Sequence, residues 1–147
     1  MARKPRILFI TGERPTLGLM SEGFVRYLAG SMVDVETAGK EHLRDDPYGQ
    51  WAMNEAGIDI ALLPMEPLSR KNLSDFSHIV VVDTSAVPSN LPPGTHVEHW
   101  QLPDPANVRG EPQDRIRAYR AVRNRIEQLV KDLLVQALEG EERATAR

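Results

Sequence analysis

The stretch "RILFITGERPTLGLMSEGFVRYLAG", residues 6 to 30, joins a short apolar run to an amphipathic segment through a polar turn. A strand, a glycine-containing turn and a helix start aim backbone N–H groups and the positive end of the helix at an anion. Gly12 and Gly18 bracket the turn, with Glu13, Arg14 and Thr16 between them. These five are the candidate anion or ligand contacts. The two glycines are separated by five residues and Leu19 follows. The turn therefore lacks the four-residue spacing and the Lys-Ser/Thr ending that give a nucleotide loop its chemistry. Pro15 removes one backbone donor, Glu13 brings a negative charge to the mouth, and Arg14 is the local cation that offsets it.

A second cluster, "HVEHW" at residues 96 to 100, raises the question of a metal. On a strand His96 and Glu98 share one face and His99 points to the other, so the three do not converge without a bulge. The expectation is no metal site and no cofactor. Trp100, Trp51, Met53 and Met65 read as core or helix-face packing.

The elements that must position the turn are legible from periodicity. Ile7 to Ile10 and Ile79 to Val82 are continuously apolar and β-branched, the pattern of central strands in a parallel sheet covered on both faces. Between them, Met20, Phe24 and Leu28 recur at helical spacing, with Gly30 placed to end that helix. "VDVET" reads as a strand, and Asp46 caps a helix that has Pro47 at its first position and runs to about residue 56. Residues 68 to 76 read as a short helix or turn, "AVPSNLPPG" and "LPDPANVRGEP" as loops, and "HVEHW" as an edge strand. From Asp114 to about Leu138, an apolar set including Tyr119, Val122, Ile126, Val130 and Leu133 marks a long helix with one face on the sheet. Residues 1–139 form one domain, and 140–147 form a tail without apolar periodicity that should fray. Strand and helix alternation gives an α/β sandwich with a mainly parallel sheet of about four strands. Ligands of such sheets bind beyond the carboxyl ends of the strands, where the turn after Ile10 opens.

Composition narrows the function classes. At 147 residues, with 41% hydrophobic and 27% charged positions and a net charge of -3, the chain is ordinary globular material. Neither a nucleic-acid partner nor a membrane surface is favoured. The apolar run before Thr11 is four residues, too short for a signal core or a membrane span, so a cytoplasmic protein is expected. Cysteine is absent, which removes disulfides, thiolate metal sites and thiol nucleophiles.

The order "ILFI", turn, "MSEG", together with "ETAGKE", "NEAGIDI", "FSHIVVVD", "LPPGTHVEHWQLPDPA" and "YRAVRNRIEQLV", resembles the low-molecular-weight protein tyrosine phosphatases and the thioredoxin-coupled arsenate reductases. The later segments look like the reductase branch, and the resemblance covers nearly the whole chain. It implies a three-layer α/β sandwich with a four-stranded parallel sheet in the order 2-1-3-4. That family has a Cys, five residues and an Arg in this loop. By its flanks, Thr11 stands at the nucleophile's position and Leu17 at the arginine's. A hydroxyl is far less acidic than a thiol and needs an adjacent base to attack. Leucine supplies none of the charge-assisted bonds of a guanidinium. Two further cysteines of the reductase branch fall near Thr84 and the Ala86 to Pro88 stretch, so the family's redox relay has no counterpart here. Asp104 matches the family's general acid, although Asp before Pro also starts turns on its own account. Glu22 of "MSEG" reads as a helix-surface or loop-bracing residue.

The expectation is a member of this fold that has lost the cysteine mechanism and binds a phosphate-like oxyanion, a small ligand or a protein partner. Two alternatives stand beside it. One is an enzyme of altered chemistry using Asp104 with Thr11 or a water. The other is a purely structural interaction protein whose old pocket is filled by Leu17. A homodimer stays open.

Overall fold

The computed structural model describes residues 4–39, 46–83 and 87–145, with side chains to residue 140. Of the expected counterparts of the relay cysteines, Thr84 and the Ala86 end of the Ala86 to Pro88 stretch lie outside the described residues, as do Lys40 and Glu41 of "ETAGKE". Four strands, β1 (Arg6–Ile10), β2 (Asp34–Ala38), β3 (His78–Val81) and β4 (His96–His99), form one sheet. Its order is β2-β1-β3-β4, with all three pairings parallel. The helices are α1 (Pro15–Ala29), α2 (Pro47–Glu55) and α3 (Pro112–Thr145). The sheet order and the parallel pairing agree with the sequence reading.

Both faces of β1 are buried, which is why its sequence is unbroken apolar rather than alternating. Ile7 and Phe9 face a large core with Met20 and Phe24 of α1, Met53 of α2, and Ile126 and Leu133 of α3. Leu8 and Ile10 face a smaller core with Leu73, Phe76 and Ile79, closed by single 3-10 turns at Leu68–Arg70 and Leu73–Asp75. Among the described residues no helix is long and apolar enough to cross a membrane.

Two helix bounds differ from the sequence reading. Helix α1 starts at Pro15 rather than near Met20, because proline suits the first helical position, where its missing N–H is no loss. Gly18, expected in the turn, is therefore inside the helix. Helix α3 runs on through Thr145, beyond the Leu138 limit and through most of the expected tail. Glu, Arg and Ala are good helix formers, so backbone propensity carries the helix past the end of its apolar stripe.

Gly18 is where α1 meets β2 and the end of β1. A Cβ there would lie 2.8 Å from Thr37 Cγ2 and 2.9 Å from Thr11 Cγ2. Glu22, one turn on, is buried rather than on the helix surface. It accepts from the Thr37 hydroxyl at 2.7 Å and from Arg26 Nε at 2.7 Å. Arg26 also donates to the Val35 carbonyl at 3.1 Å, so the pair braces α1 on β2.

Helices α2 and α3 are clamped by charge. Arg120 donates twice to Glu55, at 2.7 and 3.0 Å, and Arg123 adds a bond at 2.8 Å. Arg123 also reaches the Ala52 carbonyl at 2.8 Å. Trp51, expected as packing, is 40% exposed, with the Arg120 guanidinium 4.8 Å over its ring.

Two predictions follow from these contacts. Gly18→Ala is expected to destabilise by about 1–3 kcal/mol through overpacking, exceeding the ~1 kcal/mol of helix propensity gained. Urea denaturation measures it, and a stabilised variant would contradict the close approach. The hydrogen bond from Arg120, helped by Arg123 and opposed by burial, holds Glu55 at about 2 against an ordinary 4.5. A depressed carboxyl contributes stability above its unfolded pKa and loses it as pH falls toward the folded value. Thermal melts should fall more steeply between pH 4.5 and 2 for the native chain than for Glu55→Gln. Identical slopes would mean the clamp carries no acid dependence.

Candidate functional site

The turn between β1 and α1 is four residues, Thr11 to Arg14. Its first residue is locked: Thr11 is 1% exposed, its N–H donates to the Ala38 carbonyl at 2.9 Å, and its hydroxyl donates to the Arg14 carbonyl. The Glu13 N–H donates to the Asp83 carboxylate at 2.7 Å, tying the turn to the residue just past β3. Arg14 leans across to the β4 side. Its Nη1 donates to the Leu102 carbonyl at 3.0 Å, and its Nε lies 3.6 Å from Asp104 Oδ2. Leu17 points into the large core at 1% exposure, so an apolar contact replaces the guanidinium expected of the family at that position.

A cavity of about 620 Å³ opens at this end of the sheet. The turn supplies one wall with Gly12, Glu13 and Arg14, and the start of α1 supplies Pro15, Thr16 and Leu17. Asp46 and Tyr48 come from the start of α2, Asp104 to Ala106 from the segment after β4, and Arg115 and Tyr119 from α3. Of the sequence candidates, Gly12, Glu13, Arg14, Thr16, Leu17 and Asp104 meet at this cavity. Thr11 and Gly18 do not line it: Thr11 is turned under the turn, and Gly18 is packed against Thr11 and Thr37.

Asp46 joins three elements. Its Oδ2 accepts from the Thr16 hydroxyl at 2.9 Å and from the Tyr119 hydroxyl at 2.9 Å, while its Oδ1 caps α2 by accepting from the Gly49 N–H at 3.1 Å. Tyr119 is held protonated well above the usual phenol range, first by burial and then by the charge and hydrogen bond of Asp46, with Asp104 adding and Arg115 opposing. Tyr48 and Tyr119 stack, with ring centroids 5.8 Å apart and planes 24° from parallel. The sequence reading gave Asp46 a capping role and Tyr119 a place in the core stripe, and missed both as site residues. The tyrosines are 71 positions apart, and neither has a local motif.

Asp104 caps the 3-10 turn Pro105–Asn107, its side chain accepting from the Ala106 N–H at 3.0 Å. The turn-starting role is thus realised, and the same carboxylate faces the cavity. At the "HVEHW" strand, His96 Nε2 and the Trp100 Nε1–H lie 2.9 and 3.1 Å from the Glu98 carboxylate. This is the predicted shared face. Among the described residues no group of three acidic or imidazole side chains is arranged to hold a metal.

No family model matches the chain. Individual proteins do. Arsenate reductase 1 of Staphylococcus epidermidis is 34% identical over 107 residues, covering 71% of this chain and 80% of that protein. The glutaredoxin arsenate reductase of Synechocystis is 27% identical over 135 residues, covering 89% of this chain and 97% of that protein. A solved arsenate reductase in the phosphate binding state superposes with a TM-score of 0.71 at 25% identity, covering 90% of this chain and 98% of its own. The fold alone is shared with a protein tyrosine phosphatase, at 16% identity and a TM-score of 0.67, over 90% of this chain and 95% of that one. With this sheet order, and with threonine and leucine at two positions of its loop, the chain belongs to the arsenate reductase family as a divergent member without a cysteine.

Proposed function

We propose that this protein binds a small ligand in the cavity beyond β1 and does not turn it over. The observation that carries this reading is the placing of Thr11. It stands where the family resemblance puts the nucleophile, yet it is buried, bonded to the Arg14 carbonyl, and absent from the cavity wall. A backbone carbonyl is no general base, so the hydroxyl has no activating partner in that bond. Asp104 faces the cavity and could move a proton to or from a water, but its carboxylate is already taken up by the Ala106 N–H and the Arg14 guanidinium. The cavity is within the usual range for small-molecule sites and combines an aromatic wall with a few polar groups.

A second reading, retained oxyanion binding, is favoured by one observation: an arsenate reductase of the same fold has been solved in a phosphate binding state. Against it stand the Glu13 N–H already given to Asp83 and the Arg14 guanidinium already given to Leu102 and Asp104.

Aryl phosphate hydrolysis and thiol-coupled arsenate reduction under multiple turnover, with calorimetric titration of phosphate, arsenate and sulfate, test both readings. The native chain is expected to show no turnover above buffer and no saturable heat with the three anions. Thr11→Cys/Leu17→Arg is expected to gain phosphate binding. Turnover by the native chain that vanishes in Asp104→Asn would overturn the non-catalytic reading. Saturable phosphate binding lost in Arg14→Ala would establish the oxyanion reading.

A further inference from the structure

We propose that the cavity takes a planar organic cation, an amidinium or guanidinium head, with the Asp104 carboxylate as its acceptor and the Tyr48–Tyr119 pair as its aromatic wall. This rests on the ligand-binding reading and names the class of ligand. Three carboxylates, Glu13, Asp46 and Asp104, line the cavity with two guanidiniums, Arg14 and Arg115. Placement matters more than the count. Asp46 and Asp104 are partly buried, whereas Arg115 is exposed at the rim, where water and salt screen it. Arg14 is committed to the Leu102 carbonyl and lies 3.6 Å from Asp104. An oxyanion entering here passes the screened Arg115 at the rim and then meets the carboxylates of Asp46 and Asp104 inside.

The donors of the turn are also reduced. The Glu13 N–H goes to Asp83, the Leu17 N–H to the Arg14 carbonyl at 3.2 Å, and Pro15 has none. Beside the donors that are left, Asp104 offers acceptor capacity inside the cavity. An ionised carboxylate offers about four lone-pair positions. Asp104 uses one on the Ala106 N–H and holds Arg14 at ion-pair rather than hydrogen-bond distance. Asp46 is more fully used, by Thr16, Tyr119 and Gly49, and serves to fix the tyrosine wall. Aromatic faces attract cations through their quadrupole, and a planar head can lie against a ring while its N–H groups reach a carboxylate in plane. Burial first, and then the charges of Asp46 and Asp104 against the opposing Arg115, hold the Tyr119 proton on.

Amide-resolved NMR titration of the full chain with benzamidine, benzamide, benzoate and inorganic phosphate tests this, because the first three share a ring and differ in head-group charge. Benzamidine is expected to shift Gly12, Thr16, Tyr48, Ala106 and Tyr119 saturably, with a dissociation constant at least tenfold below that of benzamide. Benzoate and phosphate are expected to give no saturable shifts there. Asp104→Asn keeps the turn-capping oxygen and is expected to weaken benzamidine at least fivefold while leaving benzamide unchanged. Tyr48→Ala is expected to weaken both. Benzamide binding as well as benzamidine, or benzoate or phosphate binding more tightly, would overturn the cation and leave the ligand site standing. Silence from all four probes would overturn the cation and remove the support for ligand binding as well.

Discussion

The bond from the Glu13 N–H to the Asp83 carboxylate joins the turn after β1 to the end of β3, 70 positions away, at the mouth of the cavity. Buried backbone donors must be satisfied, and a turn that opens toward an anion leaves several waiting. Here an internal carboxylate meets one of them. The rest of the turn follows the same rule: Thr11 closes on the Arg14 carbonyl, and Arg14 closes on Leu102 and Asp104. These internal bonds take up groups that would otherwise face an oxyanion.

Two side chains of the loop belong to the packing of the frame. Leu17 contributes apolar area to the core shared by α1 and α3, and Thr11 packs its methyl beside Gly18 and Thr37. Both substitutions suit a hydrophobic interior and neither suits phosphate transfer. The fold does not depend on the chemistry, because β1 is held by parallel neighbours on both sides and by apolar layers on both faces.

Much of this was legible in the sequence because it lies in short segments. The unbroken apolar runs at Ile7 and Ile79 identified central strands. What could not be read depends on contacts between distant positions. Asp46 receives Tyr119 across 73 positions, and Arg14 reaches Leu102 across 88. The start of α1 was missed because Met20, Phe24 and Leu28 mark its apolar stripe, while its beginning at Pro15 has no side-chain cap to announce it. The extension of α3 was missed because the residues after Leu138 carry no apolar periodicity to mark it.

A thiol placed at the old nucleophile's position reads the state of the turn directly. Thr11→Cys alone, titrated by thiolate absorbance alongside its alkylation rate, should show a pKa at or above the ordinary value of about 8.5. Thr11 is buried, and the Glu13 N–H of the turn is already given to the Asp83 carboxylate. A thiol pKa below about 7, with rapid alkylation, would mean that the cradle still focuses positive potential on that position and that the turn has not been internally satisfied.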